Sequence, residues 1–214
     1  PEGYATYVAV EGDITNKLCG AQRPGHFRGV ATVVTKLLHL ARADKAFFGQ
    51  KDAQQLAVIR TFVRDLDMPV RIQAVEIVRD SDGVALSSRN QYLSEEERVH
   101  ARSLSRAIDE ARAAAALGVP LDEVLRAASS VLEAEEGVVP DYVAIVDDDD
   151  FTLLVGTGSA AEQVDKESCE KVLEAAATQG SLRARVLLAA RVGATRLIDN
   201  ADVVISVAGG TRHE

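Results

Sequence analysis

In the first ninety residues, segments with apolar residues at helical spacing follow one another in turn with segments that have the apolar pattern of strands. Apolar residues recur at helical spacing in Gly29–Arg42 and Gln54–Leu66. Lys45–Phe48 and Val70–Val78 are short apolar runs bounded by turn residues, which predicts strands. Tyr4–Val10 alternates with period two and predicts a further strand. This order of helices and strands is typical of a parallel sheet.

The pattern changes after this region, and a domain boundary is predicted near Gln91–Ser94. Ser94 and Glu97 have the spacing of a capping box, and an Ala- and charge-rich helix is predicted from Glu95 to about Leu117. A helix, a strand, a second helix and two strands of a mainly antiparallel sheet are predicted to follow, at Leu121–Glu135, Asp141–Val146, Lys166–Ala177, Arg183–Arg191 and Val203–Val207.

Composition and charge exclude several classes of protein. The 214-residue chain is 47% hydrophobic and 27% charged, as globular proteins are. No apolar run approaches the roughly 20 residues of a membrane helix. The formal net charge of −9 disfavours general binding to nucleic acid or anionic membranes. Cys19 and Cys169 form neither a metal-ligand cluster nor a disulfide framework, which favours a reducing cytoplasm.

The segment FGQKDAQQ, Phe48–Gln55, places a glycine and a lysine between a predicted strand and a predicted helix. A helix start offers free N–H groups and a positive dipole end, and Lys51 adds a full charge, so an anionic group is favoured there. Gly49 permits close approach of the backbone to a ligand. Taken alone, the segment also fits a solvated turn with Asp52 as the helix N-cap.

The segment LSSRN, Leu86–Asn90, follows a predicted strand and a polar turn. Its two hydroxyls and its guanidinium suit triphosphate oxygens, because Arg89 can bind two oxygens at once and stays charged. The alternative is a capped loop in which Arg89 pairs with a nearby carboxylate. Both interpretations stay open for this segment by itself.

Four blocks together resemble one known family, in its order and at its approximate spacing: RPGHFRGVATVV (23–34), FGQKDAQQ, DGVALSSRN (82–90) and TRLIDN (195–200). The chain resembles pantothenate synthetase over most of its length. The resemblance implies an α/β fold: the C-terminal part of a Rossmann-like nucleotidyltransferase domain with parallel strands, residues 1–91, followed by a smaller α+β domain with a mainly antiparallel sheet, residues 92–214. An insertion is expected at about 156–180.

The resemblance also implies an activity, substrates and partners. The family condenses (R)-pantoate with β-alanine at the cost of ATP, through a pantoyl-adenylate intermediate, releasing AMP and pyrophosphate. ATP as substrate, Mg²⁺, a homodimer and a cytoplasmic location are therefore expected, without nucleic-acid or membrane partners. A different nucleotidyltransferase or synthetase module would share the α/β order, but it would not share RPGHF and TRLIDN together.

Residue roles are carried over from the family position by position. Lys51, Ser87, Ser88 and Arg89 are expected to be catalytic, and Gln55 is expected to bind pantoate. The ATP site would be lined by Gly49, Gln50, Lys51, Asp52, Val78 through its backbone, and the flexible loop Leu86, Ser87, Ser88 and Arg89. The resemblance assigns no metal ligand.

Three further groups receive structural interpretations. Arg23 and His26 are interpreted as bracing a loop, and Arg196 and Asp199 as forming a buried or interface ion pair. The acidic run Asp147–Asp150 invites a metal hypothesis, but it fits a solvated charge run better, because successive side chains on an extended segment point to opposite faces.

The family's upstream histidine motif has no counterpart in this sequence. The four histidines, His26, His39, His100 and His213, are too scattered to form it. The sequence is therefore expected to be the C-terminal piece of a longer enzyme. The alternative is a catalytically incomplete fragment that acts only as a dimerisation or weak nucleotide-binding domain.

Overall fold

Residues 2–207 are described by the computed structural model, and His213 lies outside them. The chain divides between Glu76 and Ile77; unit 1 here denotes the described residues before this division and unit 2 those after it. Unit 1 contains a parallel sheet and unit 2 an antiparallel one, which confirms the predicted α/β class. The division places Leu86–Asn90 in unit 2. The domain ranges 1–91 and 92–214 stay predictions.

Unit 1 is built around one strand–helix–strand segment. Strands β1 and β2 are parallel and pair from Lys45 with Arg71 to Gly49 with Val75. A short 3₁₀ turn, Gln50–Asp52, joins β1 to the following helix. The elements in chain order are α1 (Asp13–Asn16), α2 (Cys19–Gln22), α3 (His26–Ala41), β1 (Lys45–Gly49), α4 (Ala53–Asp65) and β2 (Arg71–Val75).

The core of unit 1 lies between α3 and α4. Phe27 and Ala31 of α3 meet Val58, Ile59 and Phe62 of α4, and all five side chains are buried. Phe27 and Ala31 are four residues apart, and Phe62 follows Val58 by four and Ile59 by three, which is the spacing of one helical face. The helices predicted in this region are therefore confirmed, with ends shifted by one to three residues.

The strand predicted at Tyr4–Val10 is wrong. These residues form no strand, and the N–H of Val8 bonds to Oγ1 of Thr32 on α3 (3.0 Å) instead of to a sheet partner. Val8 and Val10 pack against the core of unit 1, while Tyr4 and Tyr7 are exposed. Burial therefore alternates only from Val8 to Val10, and residues 4–7 are all exposed.

Unit 2 carries three helices and a four-stranded sheet of order β4-β3-β5-β6, in which all neighbours are antiparallel. The elements in chain order are α5 (Glu95–Ala116), α6 (Leu121–Glu133), β3 (Val138–Asp147), β4 (Leu153–Gly156), α7 (Lys166–Gln179), β5 (Ser181–Val192) and β6 (Thr195–Ser206). Two 3₁₀ turns, Ser88–Tyr92 and Gly158–Gln163, lie before α5 and α7. The antiparallel sheet agrees with the prediction, although β6 begins at Thr195 and so includes TRLIDN.

The core of unit 2 is aliphatic. Leu104 and Ile108 of α5, and Leu132 of α6, are buried together with strand residues such as Ile145 and Leu188. The predicted capping box at the start of α5 is confirmed, since Ser94 Oγ accepts the N–H of Glu97 (3.1 Å) and Glu97 Oε2 accepts that of Ser94 (2.8 Å). Among the described helices, none has the length and apolarity to cross a membrane.

Candidate functional site

The predicted site residues fall into two groups, one in each unit. Gly49, Gln50, Lys51, Asp52 and Gln55 lie in unit 1 at the junction of β1 and α4. Val78 and Leu86–Arg89 lie in unit 2 around a tight turn. Each group is brought together by local backbone structure.

In unit 1 the strand ends at Gly49 and the 3₁₀ turn leads directly into α4. The start of this helical segment therefore presents backbone N–H groups around Lys51, where anionic groups are favoured. Asp52 occupies the N-cap position of α4, but its side chain makes no capping hydrogen bond. The alternative interpretation is therefore right about the N-cap position of Asp52, although its carboxylate does not cap the helix.

Gly49 is not required by its backbone conformation. Its φ of −69° and ψ of 133° are open to any residue, and an added Cβ would meet no atom within 4 Å. Neither strain nor packing in this unit explains the glycine. Open space beside the backbone at the end of a strand is what a closely approaching ligand requires.

Gln54 is a structural residue that the sequence reasoning missed. Its side chain is only 6% exposed. Its Oε1 accepts the N–H of Cys19 (3.0 Å), and its Nε2 donates to the carbonyls of Ile14 (2.9 Å) and Lys17 (2.8 Å). The helical phase gives the signal, because Gln54 stands one turn before Val58 on a buried face of α4. Gln55 is only partly buried.

Arg23 and His26 contact each other at the start of α3. A guanidinium nitrogen of Arg23 lies 3.2 Å from Nε2 of His26, with arginine as the donor. Gly25, between them, adopts a left-handed conformation with φ of 78°. The contact supports the predicted bracing role, because it fixes both side chains across the turn that precedes α3.

In unit 2, residues 78–86 form a closed turn. The N–H of Leu86 donates to the carbonyl of Val78 (2.9 Å), Arg79 and Ala85 form an antiparallel bridge, and the N–H of Asp80 donates to the carbonyl of Val84 (2.9 Å). We call this segment the hairpin. Val78 and Leu86, which sequence reasoning placed at the nucleotide, are hydrogen-bonded to each other at its open end.

The segment that leaves the hairpin, Leu86–Asn90, has a defined conformation, and we call it the phosphate loop. Ser87 Oγ accepts the N–H of Arg89 (3.3 Å), and Asn90 Nδ2 donates to the carbonyl of Ala85 (3.0 Å). A guanidinium nitrogen of Arg89 donates to the carbonyl of Arg196 on β6 (3.3 Å). Locally this is the capped loop of the alternative interpretation, except that Arg89 contacts a carbonyl and not a carboxylate.

Two arginines anchor the hairpin. Arg79 donates to both carboxylate oxygens of Asp199 on β6, at 2.6 and 2.9 Å, and hydrogen bonding with Asp199 raises the pKa of its guanidinium. Arg98 on α5 donates to Asp80 (2.5 Å) and to both oxygens of Asp82 (2.7 and 2.9 Å). The bond from Arg98 lowers the pKa of Asp82 to about 2.

Arg196 and Asp199 of TRLIDN are both in ion pairs, but each has a partner on another element. Arg196 donates from Nε (3.0 Å) and from its terminal nitrogen (2.7 Å) to Asp141 on β3. Asp199 pairs with Arg79, so the two residues do not pair with each other. They are three residues apart on one strand, and an odd separation directs side chains to opposite faces.

The acidic run Asp147–Asp150 is part of the turn between β3 and β4. Asp147 Oδ1 accepts the N–H groups of Asp149 and Asp150 (both 2.9 Å), and burial raises the pKa of Asp147. Asp148 pairs with Arg185 (2.6 Å) and Asp149 with Arg183. Within residues 2–207, no group of three or more His, Cys, Asp or Glu side chains is arranged to hold a metal ion.

Known proteins of one family are similar to the chain over a range that includes both groups of residues. The family model described as Pantoate-beta-alanine ligase matches residues 1–202. The pantothenate synthetases of Rhizorhabdus wittichii and Herpetosiphon aurantiacus are 49% and 46% identical to the chain over 201 residues, which is 94% of it.

Solved structures agree with this similarity. Pantothenate synthetase from Thermus thermophilus matches 94% of the chain with a TM-score of 0.78 and 44% identity. Pantoate-beta-alanine ligase from Francisella tularensis, complexed with beta-gamma ATP and beta-alanine, matches with a TM-score of 0.62 and 25% identity, again over 94% of the chain.

The chain spans only 62% and 64% of the two curated relatives, and 64% and 59% of the two solved chains. The similarity extends over nearly the whole of this chain and includes the segments of both groups. The chain belongs to the pantoate–β-alanine ligase family.

Proposed function

We propose that this chain supplies part of the site that condenses (R)-pantoate with β-alanine at the expense of ATP. One observation carries the proposal: the family match over residues 1–202 includes both segments with phosphate-binding chemistry. The Francisella tularensis relative, whose structure contains an ATP compound and β-alanine, supports the choice of substrates.

The proposed first step forms pantoyl adenylate. A carboxylate oxygen of pantoate attacks the α-phosphorus of ATP, the new bond is a P–O bond, and pyrophosphate leaves with the electrons of the broken bond. Negative charge increases on the leaving oxygens, and fixed donors lower the barrier. Lys51 at the start of α4 supplies a cation, and Ser87, Ser88 and Arg89 supply hydroxyl and guanidinium donors.

In the proposed second step, the neutral amine of β-alanine attacks the acyl carbon of the adenylate. The amide C–N bond forms, AMP leaves, and the amine loses a proton to solvent or to the departing phosphate. Orientation and exclusion of water matter most here, because the adenylate would otherwise hydrolyse. Closing of the phosphate loop over the adenylate would provide that exclusion.

The remaining roles follow from accessibility. Gln55 is more accessible than the buried Gln54 beside it, which supports its assignment to pantoate. The open space beside Gly49 supports approach of ATP to the backbone of Gly49, Gln50 and Asp52. Val78 and Leu86 would contribute backbone contacts. ATP would arrive as its magnesium complex, with Mg²⁺ held chiefly by phosphate oxygens.

A second candidate function is a weak nucleotide-binding or dimerisation domain without turnover. The short parallel sheet of unit 1 favours it, because Phe47 is 67% exposed and Val75 is 42% exposed on strands that parallel sheets usually bury. Exposed apolar side chains of this size favour contact with another protein surface. A homodimer is part of either proposal.

The experiment is AMP release by the full-length gene product with ATP, Mg²⁺, pantoate and β-alanine, leaving out each substrate in turn. We expect release that requires both organic substrates. Lys51→Ala should lower kcat/KM for ATP about 100- to 1000-fold, because a donor to the developing charge is lost. Lys45→Ala is the matched control, since Lys45 is an exposed lysine at the start of β1, the strand that precedes the turn containing Lys51.

The same assay on the 214-residue chain separates the two candidates. Turnover by this chain would exclude the non-catalytic alternative. Binding of ATP without AMP release, with the full-length protein active, would establish the alternative for the chain alone. AMP release by the full-length protein that does not depend on pantoate would refute the ligase proposal.

A further inference from the structure

The bidentate pair between Arg79 and Asp199 is the most buried ionic contact of the hairpin. The side chain of Asp199 is 2% exposed and that of Arg79 is 26% exposed. Asp199 Oδ1 also accepts the N–H of Asn200 (2.8 Å), and Arg79 also donates to the carbonyl of Gly83 (3.0 Å). The guanidinium thus holds the tip of the hairpin and β6 at once.

We propose that the Arg79–Asp199 pair positions the phosphate loop, so that ATP use depends on two residues that need not touch ATP. The inference rests on the proposed function of that loop. It assigns Arg79 and Asp199 a positioning role, beyond the buried or interface ion pair predicted for Asp199.

A covalent and hydrogen-bonded path connects Arg79 to the loop. Arg79 forms the antiparallel bridge with Ala85, and its neighbour Val78 accepts the N–H of Leu86, where the loop begins. The carbonyl of Ala85 accepts a hydrogen bond from Nδ2 of Asn90, where the loop ends. Both ends of the loop are therefore attached to the residues that Arg79 fixes.

Strand β6 holds the loop at two points. Asp199 holds the hairpin through Arg79, and the carbonyl of Arg196 accepts a hydrogen bond from Arg89. Arg196 is itself fixed by Asp141. A displacement of the hairpin along β6 would therefore change the position of the Arg89 guanidinium, which has to meet phosphate oxygens in the proposed reaction.

The energetics of the Arg79–Asp199 pair also favour a positioning role. A buried ion pair adds little net stability compared with apolar residues of similar size, because both charges lose hydration. A bidentate arginine–carboxylate contact does fix distance and angle, since two parallel hydrogen bonds leave little freedom. The pair is therefore better suited to holding a geometry than to stabilising the fold.

The test is made on the full-length gene product with Asp199→Asn. We expect kcat/KM for ATP to fall about 10- to 100-fold, because a displacement of about 1 Å at reacting groups has effects of this size. KM for β-alanine should change less than about twofold. The matched control is Asp202→Asn on the same strand, whose contact with Arg112 is long (3.4 Å) and exposed, and it should leave kcat/KM unchanged.

A double-mutant cycle separates positioning from general destabilisation. If Asp199 acts through the loop, Asp199→Asn should have almost no further effect on kcat/KM for ATP once Arg89→Ala is present. Fold support alone would predict the same fold-change in both backgrounds, and that additivity would overturn the inference. Arg79→Lys, which keeps the charge but loses the fork, serves if Asp199→Asn does not fold and should show a smaller, equally non-additive loss.

The same cycle on the dissociation constant for ATP, measured by calorimetry, keeps the inference separate from the proposed function. A wild-type protein that forms no pantothenate would refute the ligase proposal. Non-additive loss of ATP affinity would then still support the positioning role, and unchanged or additive affinity would reject it.

Discussion

The two segments proposed to bind phosphate are held in place by different physics. The junction around Lys51 in unit 1 is held by a helix start and by the neutral, buried amide of Gln54. The phosphate loop in unit 2 is held by charged pairs that join the hairpin to β6 and α5. The first anchor is insensitive to pH, whereas the second depends on ionised carboxylates. One chain thus uses both means of fixing a loop.

This difference also separates local from long-range information. Gln54 bonds to residues 35 to 40 positions earlier, but its own burial is visible in the helical phase of α4. Arg79 and Asp199 are separated by 120 positions, and nothing near either residue indicates the other. Substitutions that remove one kind of anchor at a time test whether the contrast holds.

The largest effect is expected from Gln54→Leu. The change removes the buried partner of the N–H of Cys19 and of the carbonyl of Ile14, whereas the carbonyl of Lys17 keeps the N–H of Gly20 (2.9 Å). Unsatisfied buried groups cost about 1–3 kcal/mol each, in part relieved by relaxation. We expect a loss of about 3 kcal/mol in the free energy of unfolding, measured by urea denaturation. The loss should be the same at pH 5 and pH 8, because the amide does not titrate.

Gln55→Leu is the matched control for this prediction. Gln55 is partly exposed, so its replacement should change the free energy of unfolding by less than about 0.5 kcal/mol. It should raise KM for pantoate in the proposed reaction. Equal destabilisation by the two substitutions would contradict the distinction between a structural and a substrate-facing glutamine.

The second effect concerns the charged anchor. Asp82→Asn removes the carboxylate that Arg98 binds, and we expect a loss of about 1.5 kcal/mol at pH 7, less than the full pKa shift would give because the site is partly exposed. Because the folded pKa of Asp82, about 2, lies below its ordinary value of 3.8, its contribution is complete above about pH 4 and is lost as the pH falls towards 2.

The measurement is the difference in the free energy of unfolding between the wild type and Asp82→Asn from pH 7 to pH 2. The difference should be constant down to about pH 4 and then shrink. Asp202→Asn, which removes an exposed carboxylate, should show no such trend. A difference that stays constant to pH 2 would show that Arg98 does not stabilise the ionised form of Asp82.

Much of the fold could be read from local patterns. Helices α3 and α4, the capping box at Ser94 and the antiparallel sheet follow from helical spacing, side-chain chemistry and β-branched runs, whereas the short helices α1 and α2 were not predicted. The strand expected at Tyr4–Val10 failed because Val8 and Val10 pack against the core of unit 1, and the N–H of Val8 bonds to a threonine side chain of α3 instead of to a strand. Alternation reports which side chains are inward, and it does not report where the backbone hydrogen bonds go.

The candidate site was predictable to a different extent. Motif chemistry predicts Lys51 and Ser87–Arg89 as site residues, and these stay predictions, while the family comparison places the chain among the pantoate–β-alanine ligases. The anchors Arg79, Arg98 and Asp82 were not identified, because an ion pair becomes visible only when the fold brings distant positions together. TRLIDN shows this limit: its charged residues were expected to form an ion pair, but their partners on other elements could not be named.

The smallest effect sharpens the comparison most. Ser94→Ala removes the capping box at the start of α5, directly after the 3₁₀ turn that contains Arg89. We expect a loss of about 1 kcal/mol in the free energy of unfolding. If the phosphate loop is positioned by the hairpin and β6, kcat/KM for ATP should change less than about twofold. Ser130→Ala, on the exposed side of α6, is the control for hydroxyl loss. A tenfold fall in kcat/KM on loss of the cap would mean that α5 also positions the loop. The start of α5 would then be a third anchor, besides the neutral amide of Gln54 and the charged pairs of the hairpin.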